Sequence, residues 1–284
     1  MGWRDRGVEI KTPDQIAKMR VAGRLVGQTL ELLRAHVQPG VTTGDLDALA
    51  EDNIRSSGGV PSFKGYSQPP FPGTICASVN DEVVHGIPGA RVLEEGDIIS
   101  IDCGAIVEGF HGDAATTVAV GGDHAVTPQV RELLRVTEES LWAGISAARL
   151  GGRVSDISHG VESFVRGQER GRQREQPYGI VEEFTGHGIG TAMHQPPNVP
   201  NFGRPGRGPK LERGLALAVE PMISLGRRHV VLAEDEWTVV TQDGTWAAHF
   251  EHTFTLTPDG AWVLTALDGG RARLEALGIP YGGD

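Results

Sequence analysis

Two stretches of this 284-residue chain echo one another. Leu93-Glu94-Glu95-Gly96-Asp97-Ile98-Ile99-Ser100-Ile101-Asp102 returns as Leu211-Glu212-Arg213-Gly214-Leu215-Ala216-Leu217-Ala218-Val219-Glu220. Each copy is a turn built on a glycine, then a β-type run that ends on a carboxylate. His85-Gly86-Ile87 precedes the first copy and His187-Gly188-Ile189 the second; His111-Gly112-Asp113 follows the first and His249-Phe250-Glu251 the second. A chain that repeats histidine, carboxylate and carboxylate in each half is organised to bring four acids together. Buried acids cost several kcal/mol each in desolvation (roughly) and repel one another, so four of them need a cation.

The helices repeat as well. Thr12-Pro13-Asp14-Gln15 is a capping box with proline at the first helical position. Behind it Ile16, Met19, Gly23, Val26, Leu30, Leu33 and Val37 recur at spacings of three and four, predicting a long amphipathic helix stopped by Pro39-Gly40. A second helix starts near Thr42 or Thr43 and ends at Ser56-Ser57-Gly58-Gly59. The second half opens in the same way: Thr127-Pro128 caps a helix that breaks at Gly151-Gly152, and Ser155-Asp156 starts another. Both halves read helix, helix, then strands, an α+β unit used twice, over about 12–120 and 127–257. The expectation is one catalytic domain over 1–267, with a Gly/Arg/Gln loop near 167–176 and an appended tail, 268–284, carrying a short helix.

Composition narrows the function classes. A net charge of -11 argues against a general nucleic-acid or acidic-membrane binder, and the basic clusters at 166–174 and 204–210 read as solvated loops. Two cysteines make neither a disulfide framework nor a Cys-rich zinc site. The first residues are charged and no apolar run has the length of a signal core or membrane span, so the expected location is cytoplasmic.

Side chains alternate across a strand, so residues two apart share a face. Asp102 therefore lies with Ser100 and Ile98, Glu220 with Ala218 and Ala216, Asp113 with His111 and Ala115, and Glu251 with His249 and Thr253. Small neighbours leave space for an ion. A donor set rich in oxygen and poor in thiolate suits Mn, Fe or Co, with Zn also acceptable, and such a set can hold two ions a few Å apart. His187 sits between glycines, where the backbone can pack closely, and His194 follows it. His85 begins a His-Gly-Ile-Pro turn. For His111, His249 and His252, hydrogen bonding to a ligand and direct chemistry both stay open. No Gly-rich phosphate loop follows a strand, and no Gly-x-Ser-x-Gly elbow is present.

Taken in order, Ser78-Val79-Asn80-Asp81-Glu82-Val83-Val84-His85-Gly86-Ile87-Pro88, Ile101-Asp102, Gly109-Phe110-His111-Gly112-Asp113, Gly186-His187-Gly188-Ile189-Gly190, Glu220-Pro221-Met222 and Phe250-Glu251-His252-Thr253 resemble the type I methionine aminopeptidases, members of the pita-bread metallopeptidase family. The resemblance runs from about residue 8 to 267. It implies an α+β pita-bread fold: two pseudo-symmetric halves with a curved antiparallel sheet covered by helices.

For the site, the resemblance implies two divalent ions (Co, Mn, Fe or Zn) on Asp102, Asp113, His187, Glu220 and Glu251. Asp113 and Glu251 would bridge them, His187 and Glu220 would complete one, and Asp102 the other. A hydroxide shared by the metals would attack the scissile carbonyl, with Glu220 as proton shuttle. His194 would stabilise the oxygen of the tetrahedral intermediate, His85 would lie near the scissile nitrogen, and the substrate's α-amine would meet the second metal.

By the same resemblance the implied activity is removal of the N-terminal methionine from newly made proteins with a small second residue. Tyr66, Phe71, Cys76 and Trp237, with Phe63, would line the methionine pocket. Peptides and nascent chains beginning with methionine are the implied partners, with the ribosome as a candidate further one; the chain is expected to act as a monomer, without membrane or direct nucleic-acid binding.

Two departures bear on the pocket. Ser67-Gln68-Pro69-Pro70 is about two residues longer than usual, and Met193 stands where bacterial relatives often carry Phe. Subtype follows from spacing: His194 and Glu220 are 26 positions apart, too close for the helical subdomain of type II enzymes. Two other readings compete. A prolidase or Xaa-Pro aminopeptidase shares the ligands but normally carries an N-terminal domain, whereas the opening helix here begins at Thr12. A pita-bread binding protein that has lost catalysis would also have lost ligands.

Overall fold

A computed structural model of the chain describes residues 7–169 and 177–283. In chain order its elements are α1 (Pro13–His36), α2 (Thr43–Ser56), β1 (Val60–Pro61), β2 (Ile75–Val79), β3 (Glu82–Val84), β4 (Ile98–Val107), β5 (Phe110–Ala119), α3 (Pro128–Ala147) and α4 (Val154–Glu169). They continue with β6 (Gly179–Ile180), β7 (Gly186–Gly188), β8 (Gln195–Val199), β9 (Ala216–Val219), β10 (Met222–Ser224), β11 (Val230–Leu232), β12 (Val239–Thr241), β13 (Ala247–His249), β14 (Glu251–Thr257), β15 (Gly260–Val263) and α5 (Arg271–Ala276).

The helix starts are written in side chains. At α1 the Gln15 N–H donates to Thr12 Oγ1 (3.3 Å) while the Thr12 N–H donates to Gln15 Oε1 (2.8 Å), closing the capping box. Thr42 and Asp45 repeat the device at α2, and Thr127 caps α3. Helix α4 begins at Val154, slightly ahead of the expected Ser155, because the Asp156 carboxylate reaches back to the Arg153 N–H at 2.8 Å. Most of the loop expected near 167–176 lies outside the described residues, and α4 runs to Glu169.

One antiparallel sheet crosses both halves in the order β1-β4-β5-β14-β9-β7-β8, with β2 on β4 and β15 on β14. Strands β4 and β5 come from the first echo, β9 and β14 from the second. Ile99 and Ile101 are fully buried in a core shared with Leu33, Leu46 and Ile54 of α1 and α2. Each such side chain contributes about 1.5–3 kcal/mol of apolar burial. Their neighbours Ser100 and Asp102 face the other way, as the alternation predicts. Helix α1 crosses β5 almost backbone to backbone: a Cβ on Gly112 would lie 2.6 Å from the Gly23 nitrogen. That contact seats the helix directly over the strand carrying Asp113.

Two features differ from the sequence reading. The run through His249-Phe250-Glu251 is not one strand. β13 pairs with β10, whereas β14 pairs with β5 and β9, so the chain changes sheets at Phe250. His249 and Glu251 still approach one another, at 4.0 Å. Residues 268–283, expected as an appended tail, pack closely. Leu274 of α5 is fully buried in the larger core, and Tyr281 bridges Ala261 of β15.

Candidate metal centre

Strand register assembles the acids. Cys76 pairs with Asp102, Asp102 with Ala115, and Ala115 with Glu251, so these residues form a row across β2, β4, β5 and β14. Directly paired residues of antiparallel strands share a face. Asp102 and Glu251 thus rise on either side of Ala115, whose methyl leaves the space between them open. Asp113 stands on the same face two residues from Ala115, opposite Gly104. Glu220 follows β9 directly. The pairing of Thr253 with Ala218 sets Glu220 level with Glu251, and Pro221 then ends the strand. Thr253 Oγ1 donates to the Asp113 carbonyl at 2.8 Å, tying β14 to β5 beneath the acids.

His187 enters from β7 between two glycines. A Cβ on Gly186 would lie 2.3 Å from the Ala218 carbonyl oxygen, and one on Gly188 equally close to that of Pro196. Any larger residue would push His187 away from the acids. Its Nδ1 lies 3.0 Å from the Gly188 carbonyl, which can only accept, so Nδ1 carries the proton. The lone pair on Nε2 then faces Glu220 Oε1 at 3.4 Å and Asp113 Oδ2 at 3.8 Å.

The electrostatics of this cluster are unfavourable as it stands. Burial, and then repulsion from Asp102 and Glu220, holds the Asp113 carboxyl well above the usual range. Glu220 and Glu251 are raised well above it in the same way, by burial first and neighbouring carboxylates second. Burial pushes Asp102 to about 7 despite a hydrogen bond to Asp113. Two carboxyl groups can keep that contact only by sharing a proton or a cation. Burial, then His194, lowers His187 to about 3, so its imidazole is neutral and its lone pair available.

Asp102 Oδ1, Asp113 Oδ1 and Glu251 Oε1 are buried without a hydrogen-bond partner. Asp113, His187 and Glu251 present ligand atoms within 4.8 Å of one another. Unpaired acceptor oxygens around a neutral imidazole fit a divalent cation of the hard or borderline kind.

Beside the acids lies a cavity of about 310 Å³, walled by Phe63, Tyr66, Phe71, Cys76 and Trp237 at one end and by Asp102, Asp113, His187, Glu220 and Glu251 at the other. His85 and His194 line it as well. The Tyr66 hydroxyl is 2.7 Å from His194 Nδ1, and the His194 ring stands 4.4 Å from that of His187. His85 takes a left-handed backbone, φ 61°, and meets Phe184 and Trp237 edge-on. Burial, then His194, lowers His85 to about 4.

The loop at 67–70 folds back on itself, since the Phe71 N–H donates to the Tyr66 carbonyl at 2.9 Å; of its residues, Ser67 lines the cavity. Met193 packs behind the wall against Phe63, Phe71 and Cys76. His111 turns to Ser62 (3.0 Å) and His252 to Thr265 (2.8 Å) on the far face of β14. Phe184 is a wall residue that sequence reasoning passed over; its place just ahead of Thr185-Gly186-His187 was the available signal.

A family model described as metallopeptidase family M24 matches residues 17–258. The chain is 49% identical over 257 residues to a methionine aminopeptidase of Clostridium acetobutylicum, covering 90% of this chain and 98% of the relative. Among solved structures, the methionine aminopeptidase of Thermotoga maritima superposes with a TM-score of 0.85 at 40% identity, covering 91% of this chain and 99% of that one. A prolidase of Pyrococcus furiosus shares the fold at 18% identity and a TM-score of 0.69; the match covers 90% of this chain and 65% of the prolidase.

Proposed function

The chain belongs to metallopeptidase family M24 and has the pita-bread fold of its methionine aminopeptidases, and from that premise we propose that it removes the N-terminal methionine from newly made proteins whose second residue is small. The observation that carries this reading is the meeting of two things in one cavity: a cluster of buried, unpaired carboxylate oxygens and an apolar end. Asp102, Asp113, His187, Glu220 and Glu251 would hold two divalent ions, Co, Mn, Fe or Zn. When bound, such ions lower the pKa of water toward 7 and polarise the scissile carbonyl.

The side chains do the rest. Methionine is unbranched and polarisable, so Phe71, Trp237, Tyr66 and Cys76 can enclose its thioether with sulfur–aromatic contacts. Glu220 carries the proton between the attacking water and the departing amine. The Tyr66 phenol, raised in pKa by burial and then by Asp113, keeps its proton and donates it to His194 Nδ1. Nε2 of His194 then bears the hydrogen that meets the substrate's carbonyl oxygen. His85, neutral at pH 7, faces the scissile nitrogen. His85 and His194, which line the cavity beside the acids, would restrict the second residue to a small one. Nascent chains are the substrates this implies, in the cytoplasm where they carry a free N-terminal methionine. No helix among the described residues is long and apolar enough to cross a membrane.

The test is a peptide panel. Metal-loaded protein is expected to release methionine from Met-Ala-Ser and to leave Ala-Pro peptides nearly untouched; the reverse preference would move the chain to the proline-directed class. A second expectation concerns Tyr66→Phe. Losing a hydrogen bond worth roughly 1 kcal/mol should lower kcat about 3- to 10-fold with KM little changed. Steady-state kinetics on Met-Ala-Ser would show it; an unchanged kcat would mean that Tyr66 does not orient His194.

A further inference from the structure

One buried group at the centre is left unused by the reading above. His249 is 1% exposed, and neither of its ring nitrogens has a hydrogen-bond partner. Its backbone is pinned: the His249 N–H donates to Thr117 Oγ1 at 2.9 Å, and Thr117 Oγ1 donates to the His249 carbonyl at 2.7 Å. These two bonds fix the backbone from which the ring projects. Nε2 lies 4.0 Å from Glu220 Oε2 and 4.0 Å from Glu251 Oε2, about 1 Å beyond ordinary N–H···O contact. With an ion bound both carboxylates only accept, so the tautomer that pairs with them carries its hydrogen on Nε2, and this nitrogen is a donor rather than a metal ligand.

Glu220 is shared between two imidazoles. Its Oε1 faces His187 Nε2 at 3.4 Å, and its Oε2 faces His249. We propose that His249 is a positioning residue of the metal centre, whose Nε2–H closes onto Glu220 Oε2 when the ion is bound and steers Oε1 toward the ion held with His187. One lone pair of Oε2 stays open for the proton that Glu220 carries. A buried imidazole with no partner costs stability that an apolar ring of similar size would not. Its presence here is accounted for by a contact that forms on loading.

This inference rests on the reading of the site as a metal centre, and the two can be separated. Metal-free wild type, His249→Leu and His249→Gln would each be titrated with Mn(II) by calorimetry, alongside circular dichroism melts and kcat on Met-Ala-Ser. The expectation for H249L is an unchanged number of ions, one of them weakened about 10- to 100-fold, and a metal-free melting temperature equal to or above wild type. H249Q, whose amide N–H can reach the same oxygen, should stay within about threefold of wild type. Should H249L fail to fold, His249→Phe, an apolar ring of similar size, serves as the non-donor. Wild-type Mn(II) affinity in H249L or H249F overturns the proposal. So does a H249Q as weak as H249L, since that would require the imidazole itself. No Mn(II) binding by wild type would overturn the metal-centre reading instead.

Discussion

Glu220→Ala is expected to abolish turnover of Met-Ala-Ser, a loss of at least about 10³-fold. General acid–base transfer alone contributes about 10²–10⁴-fold, and this substitution also takes away a proposed metal ligand. The imidazoles beside it are already engaged with this carboxylate, His187 facing Oε1 and His249 facing Oε2. Glu220→Gln keeps the shape and the apolar contacts but cannot take up a proton, and should be almost as inactive. Metal-saturated kinetics on both variants check this, with thermal melts to show that each is folded. A rate near wild type in either would rule out Glu220 as the shuttle.

Metal removal should make the protein's stability depend steeply on pH, in a direction that the buried acids set. Asp102, Asp113, Glu220 and Glu251 all titrate higher folded than unfolded, chiefly through burial. Between the unfolded carboxyl range and their folded pKa values the native state holds more protons, so stability falls as pH rises. The buried histidines act oppositely: burial lowers His187 and His249 to about 3 and His85 to about 4. Their effect is confined to pH below about 6.5, where the unfolded histidine takes up a proton.

From pH 6.5 to 8 the acids are therefore unopposed. Each acid still holding its proton contributes up to about 1.4 kcal/mol of lost stability per pH unit. For a chain of this size that is several degrees of melting temperature per pH unit, roughly. Bound divalent ions replace the protons and should flatten the dependence. Melting curves of chelator-treated and Mn(II)-loaded protein across this window check the claim. A metal-free protein whose melting temperature holds steady or climbs would contradict it.

Much of this site is legible in the chain because period-two alternation and local capping are short-range properties. The echo ending at Asp102 and Glu220 marks both strands, Thr12 and Thr127 mark helix starts, and the glycines around His187 announce a close backbone approach. What could not be read is long-range. The row Cys76–Asp102–Ala115–Glu251 depends on which strands pair and in which register, and no local pattern encodes that. The change of sheet at Phe250 hides in an apparently continuous β-type run, because a buried phenylalanine suits a strand and a crossing equally. His249 looks like any histidine beside an acid until its neighbours are known. The packing of Leu274 and Tyr281 likewise depends on what β15 presents to them.

The central claim is that the five side chains Asp102, Asp113, His187, Glu220 and Glu251 hold the ions on which methionine release depends. Titration of metal-free protein with Mn(II), with methionine release from Met-Ala-Ser followed at each addition, tests it most directly. Activity should be absent before the first addition and rise with binding to two ions per chain, and Glu251→Ala should bind fewer ions and stay inactive. Turnover in the chelator-treated protein, or undiminished Mn(II) binding by Glu251→Ala, would contradict the account.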